Sequence, residues 1–321
     1  MRSVSRIVVG VQLSVKRPWS AVGLGDSTRA AIEQSLRIAE IRRVPVTLVA
    51  ALSEPSSGLF GSAEKASAAA VQDQTEASAV LQEIIQQYSK RHSCELDVTA
   101  TVVFGQPWME ILRVVGGDRD ALIVCGTRTR GAISRMLFGN TGLKLVRYAP
   151  CPVWLARPRE DYDAPLDVMA ATDLSETGVE VLHTAVHLGQ SLPIRLSVLH
   201  VVHTDLDRHM ARAGVRDESV REFRRELRES AESTMQSQLA MTDFRTLQFG
   251  VQTHVAEGNP DAAILCAIEE LKIDLLVMAT SRRGGIPGML FGSTAERLLS
   301  QLRCSILVIK PEDFQPPMKL S

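Results

Sequence analysis

Residues 122–158 read LIVCGTRTRGAISRMLFGNTGLKLVRYAPCPVWLARP, and residues 275–311 read LLVMATSRRGGIPGMLFGSTAERLLSQLRCSILVIKP. Gly139 falls opposite Gly292, Cys151 opposite Cys304 and Pro158 opposite Pro311, each pair 153 residues apart (292−139, 304−151, 311−158). A fixed offset of this size marks two copies of one structural unit. Each copy runs from an apolar strand into a Gly-containing loop, then through Gly139-Asn140 or Gly292-Ser293 into a helix. Backbone amides at such a helix start can hold a phosphate.

Outward from this repeat, apolar strand runs alternate with helical patterns. In the first half the strands are RIVVGVQL (6–13), VTLVAAL (46–52), LDVTATVVF (96–104), ALIVCG (121–126) and PVWLA (152–156). Between them lie a helix at 27–43 with Ile32, Leu36, Ala39 and Ile41 on its apolar face, and a long helix ending near His92. Two more helices start at Pro107 and Asn140. The second half repeats the order with LDVMAATD (166–173), IRLSVLHVV (194–202), FGVQTHVAE (249–257), DLLVMAT (274–280) and SILVIK (305–310). Its helices are expected at 176–190 and 218–240 and from Pro260 and Ser293. Pro107 and Pro260 suit the first helical position, with Asn259 as the cap before the second. This alternation predicts an α/β fold, each half a mostly parallel five-stranded sheet with helices on both faces. Domain 1 is expected at 1–158, a linker at 159–164 within the proline- and charge-rich RPREDYDAP (157–165), domain 2 at 165–312 and a tail at 313–321.

The offset shifts near the start of each copy. Pro45 and Pro193 differ by 148, whereas Gln12 and Asp173, at the ends of the first strands, differ by 161. The first copy therefore carries about 13 extra residues (161−148), roughly VKRPWSAVGLGD (15–26). Ligands of open α/β sheets bind beyond the carboxyl ends of the strands, which is where this insert falls. Lys16, Arg17 and Trp19 make it either a lid, with Trp19 stacking on a base, or a surface loop pinned by one aromatic.

Composition narrows the classes. The chain has 321 residues, 45% hydrophobic and 23% charged, with 36 basic and 37 acidic side chains and a net charge of −1. That balance offers no basic surface for nucleic acid or an anionic membrane. No apolar run approaches the ~20 residues that span a bilayer. Five cysteines without a CxxC or metal spacing point to reduced thiols in a cytoplasmic protein. A P-loop ending in Gly-Lys-Ser/Thr, GxSxG and HExxH are all missing, so enzyme readings gain nothing. His183 and His187 stand four apart without a third ligand and read as a helix surface pair. In VREFRRELRES (220–230), Val220, Phe223 and Leu227 form the packed stripe, with Glu222, Arg225 and Glu229 paired on a solvated face.

The two halves, with a Gly loop between the fourth strand and fourth helix, resemble the tandem universal stress proteins. LFGSTAERLL (290–299) and LRCSILVIKPEDF (302–314) resemble the E-type members, and the resemblance covers nearly the whole chain. It implies an adenine-nucleotide alpha hydrolase-like fold, ATP as cofactor with or without Mg, a stress-response role in the cytoplasm and a homodimer. It also makes the last strands, PVWLA and SILVI, candidates for pairing between domains or chains. The family's nucleotide loop reads Gly, two residues, Gly, nine residues, then Gly-Ser or Gly-Thr. In the second half this falls on Ala279, Arg282 and Gly292-Ser293, with Thr280, Arg283 and Thr294 beside it. In the first half it falls on Gly126, Thr129 and Gly139-Asn140, with Thr127, Arg128 and Thr141 nearby. The nucleoside-contacting acid at the end of the first strand corresponds to Asp173 in domain 2 and to Gln12 in domain 1. Backbone groups near Val198 and His200 are where the family reads adenine.

Each position also has a plainer role. The loops can be strand-to-helix turns that need Gly292 for their backbone and Ser293 as a cap, and Asp173 can itself cap a helix. His200 can be a packed rim histidine. The resemblance thus implies ATP binding mainly in domain 2, with no chemical step required. The alternatives are a tandem scaffold that binds protein partners or another small ligand without ATP, and a slow ATPase. Arg282 discriminates, because its side chain either fills the space a phosphate needs or leaves it.

Overall fold

The computed structural model describes residues 4–14, 17–54, 63–91, 96–127, 139–203, 216–280 and 293–316, with the backbone alone at 63–66, 91, 293, 294 and 296. The chain divides into two compact units, one formed by the described residues up to Arg159 together with 315–316, the other by those within Glu160–Phe314.

The first unit contains β1 (Arg6–Gly10), α1 (Asp26–Arg42), β2 (Val46–Leu52), α2 (Ala63–Arg91), β3 (Val98–Phe104), α3 (Pro107–Val115), β4 (Ala121–Gly126), α4 (Asn140–Tyr148) and β5 (Val153–Ala156). Its strands are all parallel in the order β3-β2-β1-β4-β5, with Ile7 opposite both Val46 and Leu122. The second unit contains β6 (Leu166–Thr172), α5 (Glu176–Gly189), β7 (Ile194–Val202), α6 (Asp217–Ala240), β8 (Val251–Glu257), α7 (Pro260–Glu270), β9 (Leu275–Ala279), α8 (Ser293–Leu299) and β10 (Ser305–Ile309). Its order is β8-β7-β6-β9-β10, again all parallel. The expected α/β class and parallel sheets are therefore present in both halves.

Both sheets need helical cover on two faces, and the sequence supplies it. Central strands carry unbroken apolar runs: Ile7, Val8, Val9, Leu122, Ile123 and Val124 are all fully buried. Burying each such side chain contributes about 1.5–3 kcal/mol. Right-handed crossovers put the helices leading out from β1 on one face and those returning past it on the other. Accordingly α1 packs on β1 and β4, while α3 packs on β1 and β2 and against α4. Pro107 and Pro260 open α3 and α7, where a missing amide costs nothing; Asn259 holds the N-cap backbone position, but its side chain makes no capping bond.

One α1 expectation fails. Ile41 is 52% exposed and Ile38 takes the buried place. Ile41 lies nine residues beyond Ile32, about 900° at 100° per residue, which is the opposite face of the helix. On α6 the expected stripe is present: Val220, Ala231, Met235 and Leu239 are buried, with Phe223 and Leu227 half-buried between them. Arg225 pairs with Glu222 at 3.4 Å and with Glu229 at 3.7 Å on the solvated side.

The two copies solve one contact differently. In the first, Lys144 Nζ lies 4.8 Å from the Trp108 ring centroid. The positions 153 residues further on are Arg297 and Asp261, and there the same helix pair is joined by an ion pair. A cation on the later helix is kept, and its partner changes from an aromatic face to a carboxylate.

Candidate functional site

Strand order reverses between β1 and β4, and between β6 and β9, so each unit has a switch point at the carboxyl ends of those strands, where the ligand crevice of an open α/β sheet falls. At the second crevice the turn from β6 into α5, Thr172–Ser175, is fixed from several directions. Asp173 Oδ1 accepts the Ser175 amide at 3.1 Å and, in a very short bond, the Ser175 hydroxyl. Ser175 Oγ in turn accepts the Gly178 amide at 3.2 Å, making Ser175 the N-cap of α5. Asp173 is therefore not the helix cap; it braces the cap two residues on, since an Asx side chain bonds its own backbone at that spacing. Thr172 Oγ1 accepts the Leu174 amide at 3.0 Å. Gln238, reaching from α6, donates to the Leu174 carbonyl at 2.8 Å. His200 Nδ1 lies 2.9 Å from the Thr172 carbonyl, so the proton sits on Nδ1.

Leu174 carries the strain of this turn, with φ at +60°. A left-handed backbone costs a non-glycine residue about 1–2 kcal/mol, so bonds at both ends of the residue must hold it there. Gly178 permits the fit: a Cβ there would lie 2.4 Å from Thr172 Oγ1 and 3.0 Å from Asp173 Oδ1. The outcome is a half-buried carboxylate with one oxygen committed to the turn. Asp173 Oδ2 makes no bond among the described residues and can accept a ligand hydroxyl or amine.

The first crevice is built otherwise. Gln12 is exposed, and no comparable network surrounds it among the described residues. A Cβ on Gly126 would lie 2.5 Å from the Ser27 carbonyl carbon and oxygen, so the first turn of α1 presses on the end of β4. Gly126 thus has a packing reason of its own. The described part of the insert is tied to α2, and the Ala21 amide lies 3.5 Å from Glu83 Oε2. Arg17 pairs with Asp73 and, at 3.9 Å, with Glu76, and its guanidinium carbon lies 4.4 Å from the Trp19 ring centroid. The hydrogen bond to Asp73 holds the Arg17 pKa above its ordinary value. Trp19 Nε1 donates to the Ser14 carbonyl at 3.0 Å, and Ala21 and Leu24 are buried. Among the described residues, this is a pinned surface loop.

The loop residues divide sharply. Arg282, Arg283, Gly292, Lys16, Arg128 and Thr129 lie outside the described residues, as do the Ser293 and Thr294 side chains. Ala279 ends β9 half-buried, and Thr280 follows it, 4% exposed, with its amide donating to the Ile309 carbonyl at 3.2 Å. Thr127, 153 residues earlier, makes the same bond to the Ala156 carbonyl at 3.0 Å. Both hydroxyls are buried without a partner among the described residues. Gly139 caps α4 through its backbone, and Asn140 stands exposed at the first helical position. Val198 is fully buried in mid-strand opposite Ala170, so the crevice end of β7 belongs to His200, Val201 and Val202. His183 and His187 stack with centroids 6.5 Å apart, and among the described residues no trio of His, Cys, Asp or Glu is placed to hold a metal. No described helix is long and apolar enough to cross a membrane.

Asp173 stands out in the sequence at the end of a strand, whereas the residues that hold it are less visible. The TDLS string carries a legible signal for Thr172 and Ser175, since both residue types bond to nearby amides. Gln238 gives no such signal, being 64 residues away on another helix.

Two parallel α/β sheets, each with its strand-order switch between the first and fourth strands, define a tandem protein of two doubly wound units. The Universal stress protein family matches twice, at residues 20–157 and 167–310, and the chain belongs to that family as a tandem member. "Universal stress protein E" of Escherichia coli K12 is 26% identical over 230 residues, 65% of this chain and 66% of that protein, so the match spans just under two thirds of the relative's length. The Photorhabdus laumondii protein of the same name is 23% identical over 247 residues, 70% of this chain and 72% of its own. Among solved structures, a functionally unknown Pseudomonas aeruginosa protein superposes with a TM-score of 0.67 at 19% identity, covering 97% of this chain and 94% of that one. An Archaeoglobus fulgidus universal stress protein superposes with a TM-score of 0.61 at 16% identity, covering 96% and 98%. At these identities the superpositions speak to fold alone.

Proposed function

We propose that the chain binds an adenine nucleotide, ATP, in its second unit and acts as a non-catalytic stress-response protein. The observation that carries this is the Asp173 turn, a strained segment braced by β7, α5 and α6 that leaves one carboxylate oxygen available at the crevice. In this reading Asp173 Oδ2 accepts from the ribose, and the end of β7 lies along the base. Ala279, Thr280, Arg282, Arg283, Gly292, Ser293 and Thr294 surround the phosphates, which bound Mg would help neutralise. Buried Thr280, with its spare hydroxyl, suits an anion because a hydroxyl can rotate to donate. Gly126, Gly139 and Asn140 form the weaker counterpart in the first unit. Binding acts through conformation or partner affinity, in a cytoplasmic protein that pairs with a second copy of itself.

The test is mass spectrometry of ligand released from purified protein, followed by calorimetric titration with ATP and magnesium. Saturable binding with an apparent stoichiometry near one is expected. No heat and no released nucleotide at millimolar ATP would end the proposal in favour of a scaffold that binds protein partners, and steady phosphate release would recast the protein as a slow ATPase.

A further inference from the structure

Gln238 is 8% exposed on the inward side of α6. Its Nε2 donates to the Leu174 carbonyl at 2.8 Å, while its Oε1 is buried without a partner among the described residues. The bond fixes the amide orientation, because only the NH2 end can donate to a carbonyl. A buried amide with one end stranded is poorer packing than an apolar side chain of similar volume. Its benefit must therefore lie in what the donated bond holds.

What it holds is Leu174, at φ +60°, with its amide taken by Thr172 Oγ1 and its carbonyl by Gln238. Asp173 precedes this residue and Ser175 follows it. Rotation at Leu174 decides whether the Ser175 amide and hydroxyl reach Asp173 Oδ1, and hence where Oδ2 points. We infer that Gln238 is a positioning residue: it locks the Leu174 turn so that Asp173 Oδ2 faces ribose hydroxyls, giving the site its preference for ribonucleotides. The inference rests on the nucleotide reading of the second unit. Gln238 itself does not touch the ligand.

Gln238→Leu removes the donor and the stranded acceptor together, and Gln238→Met serves if the leucine variant folds poorly. Two readouts separate positioning from mere structure. The Ser175 amide, bonded to Asp173 Oδ1 at 3.1 Å, should exchange with solvent about tenfold faster in the variant, while the melting temperature changes little. The wild-type preference for ATP over 2′,3′-dideoxy-ATP, about tenfold or more, should fall to about twofold. Unchanged Ser175 protection would overturn the inference whether or not ATP binds. Lost protection with an intact ribose preference would overturn it as well. If the wild-type protein binds no ATP, the nucleotide reading fails, and the ribonucleotide preference inferred from it falls too.

Discussion

Asp173→Asn isolates the proposed ligand contact from the turn that carries it. An asparagine side-chain carbonyl can still accept the Ser175 amide that Asp173 Oδ1 accepts at 3.1 Å, so the Asx turn and the Ser175 cap of α5 persist. The change falls on Oδ2, where an acceptor becomes an NH2 donor and the charge is lost. A hydrogen bond to a charged group contributes about 1.5–3 kcal/mol, and its removal lowers affinity roughly 10- to 150-fold. The attraction between a carboxylate and the positive end of α5, about 0.3–1 kcal/mol, is lost in stability alone. Calorimetry of both proteins with ATP and magnesium gives the affinity change, and thermal melts give the stability change. Asp173→Ala, which removes the turn bonds too, should cost more of both. Equal ATP affinity in wild type and a well-folded Asp173→Asn would refute the assignment of Oδ2 to the nucleoside.

Three further outcomes follow from the same geometry. Gly126→Ala brings a Cβ within 2.5 Å of the Ser27 backbone, which cannot swing aside, and should lower stability by about 1–3 kcal/mol in urea titration; a wild-type midpoint would disprove the close approach. Ser175→Ala removes the α5 cap and the hydroxyl bond to Asp173 while keeping the amide bond, costing about 0.5–2 kcal/mol and weakening ATP binding; loss of neither in melts and titrations would remove Ser175 from the site. Thiol labelling should divide the described cysteines: Cys266 is exposed, while burial pushes the Cys125 thiol up to about 12. The hydrogen bond to Glu270 and its charge raise the Cys266 thiol, so its thiolate appears only as pH rises past the ordinary value of 9.0, and Glu270→Gln should speed its labelling at pH 8. Equal native labelling of Cys125 and Cys266 would contradict the burial.

Much of the fold is legible because its signals are local. Continuous apolar runs such as LIVC announce buried parallel strands, and Pro107 and Pro260 mark helix starts through a property of proline itself. Ile41 shows the limit of counting apolar residues without their angle around the helix. Asp173 is legible through its place at a strand end. Leu174 is not, since nothing in its identity predicts a left-handed backbone, and Gln238 is not, since its partner lies on another element.

The sequence by itself determined a duplicated α/β unit, because a constant spacing of 153 residues survives wherever the same strands and helices must recur. Only the tertiary structure decided how the copies differ in their packing. It places Trp108 with Lys144 and Asp261 with Arg297 at one shared contact, so that unlike residue pairs prove to be equivalent. It also presses α1 onto Gly126 in one unit and α5 onto Asp173 through Gly178 in the other. Those approaches depend on how helices seat on sheets, a many-body packing result that no local run of residues encodes.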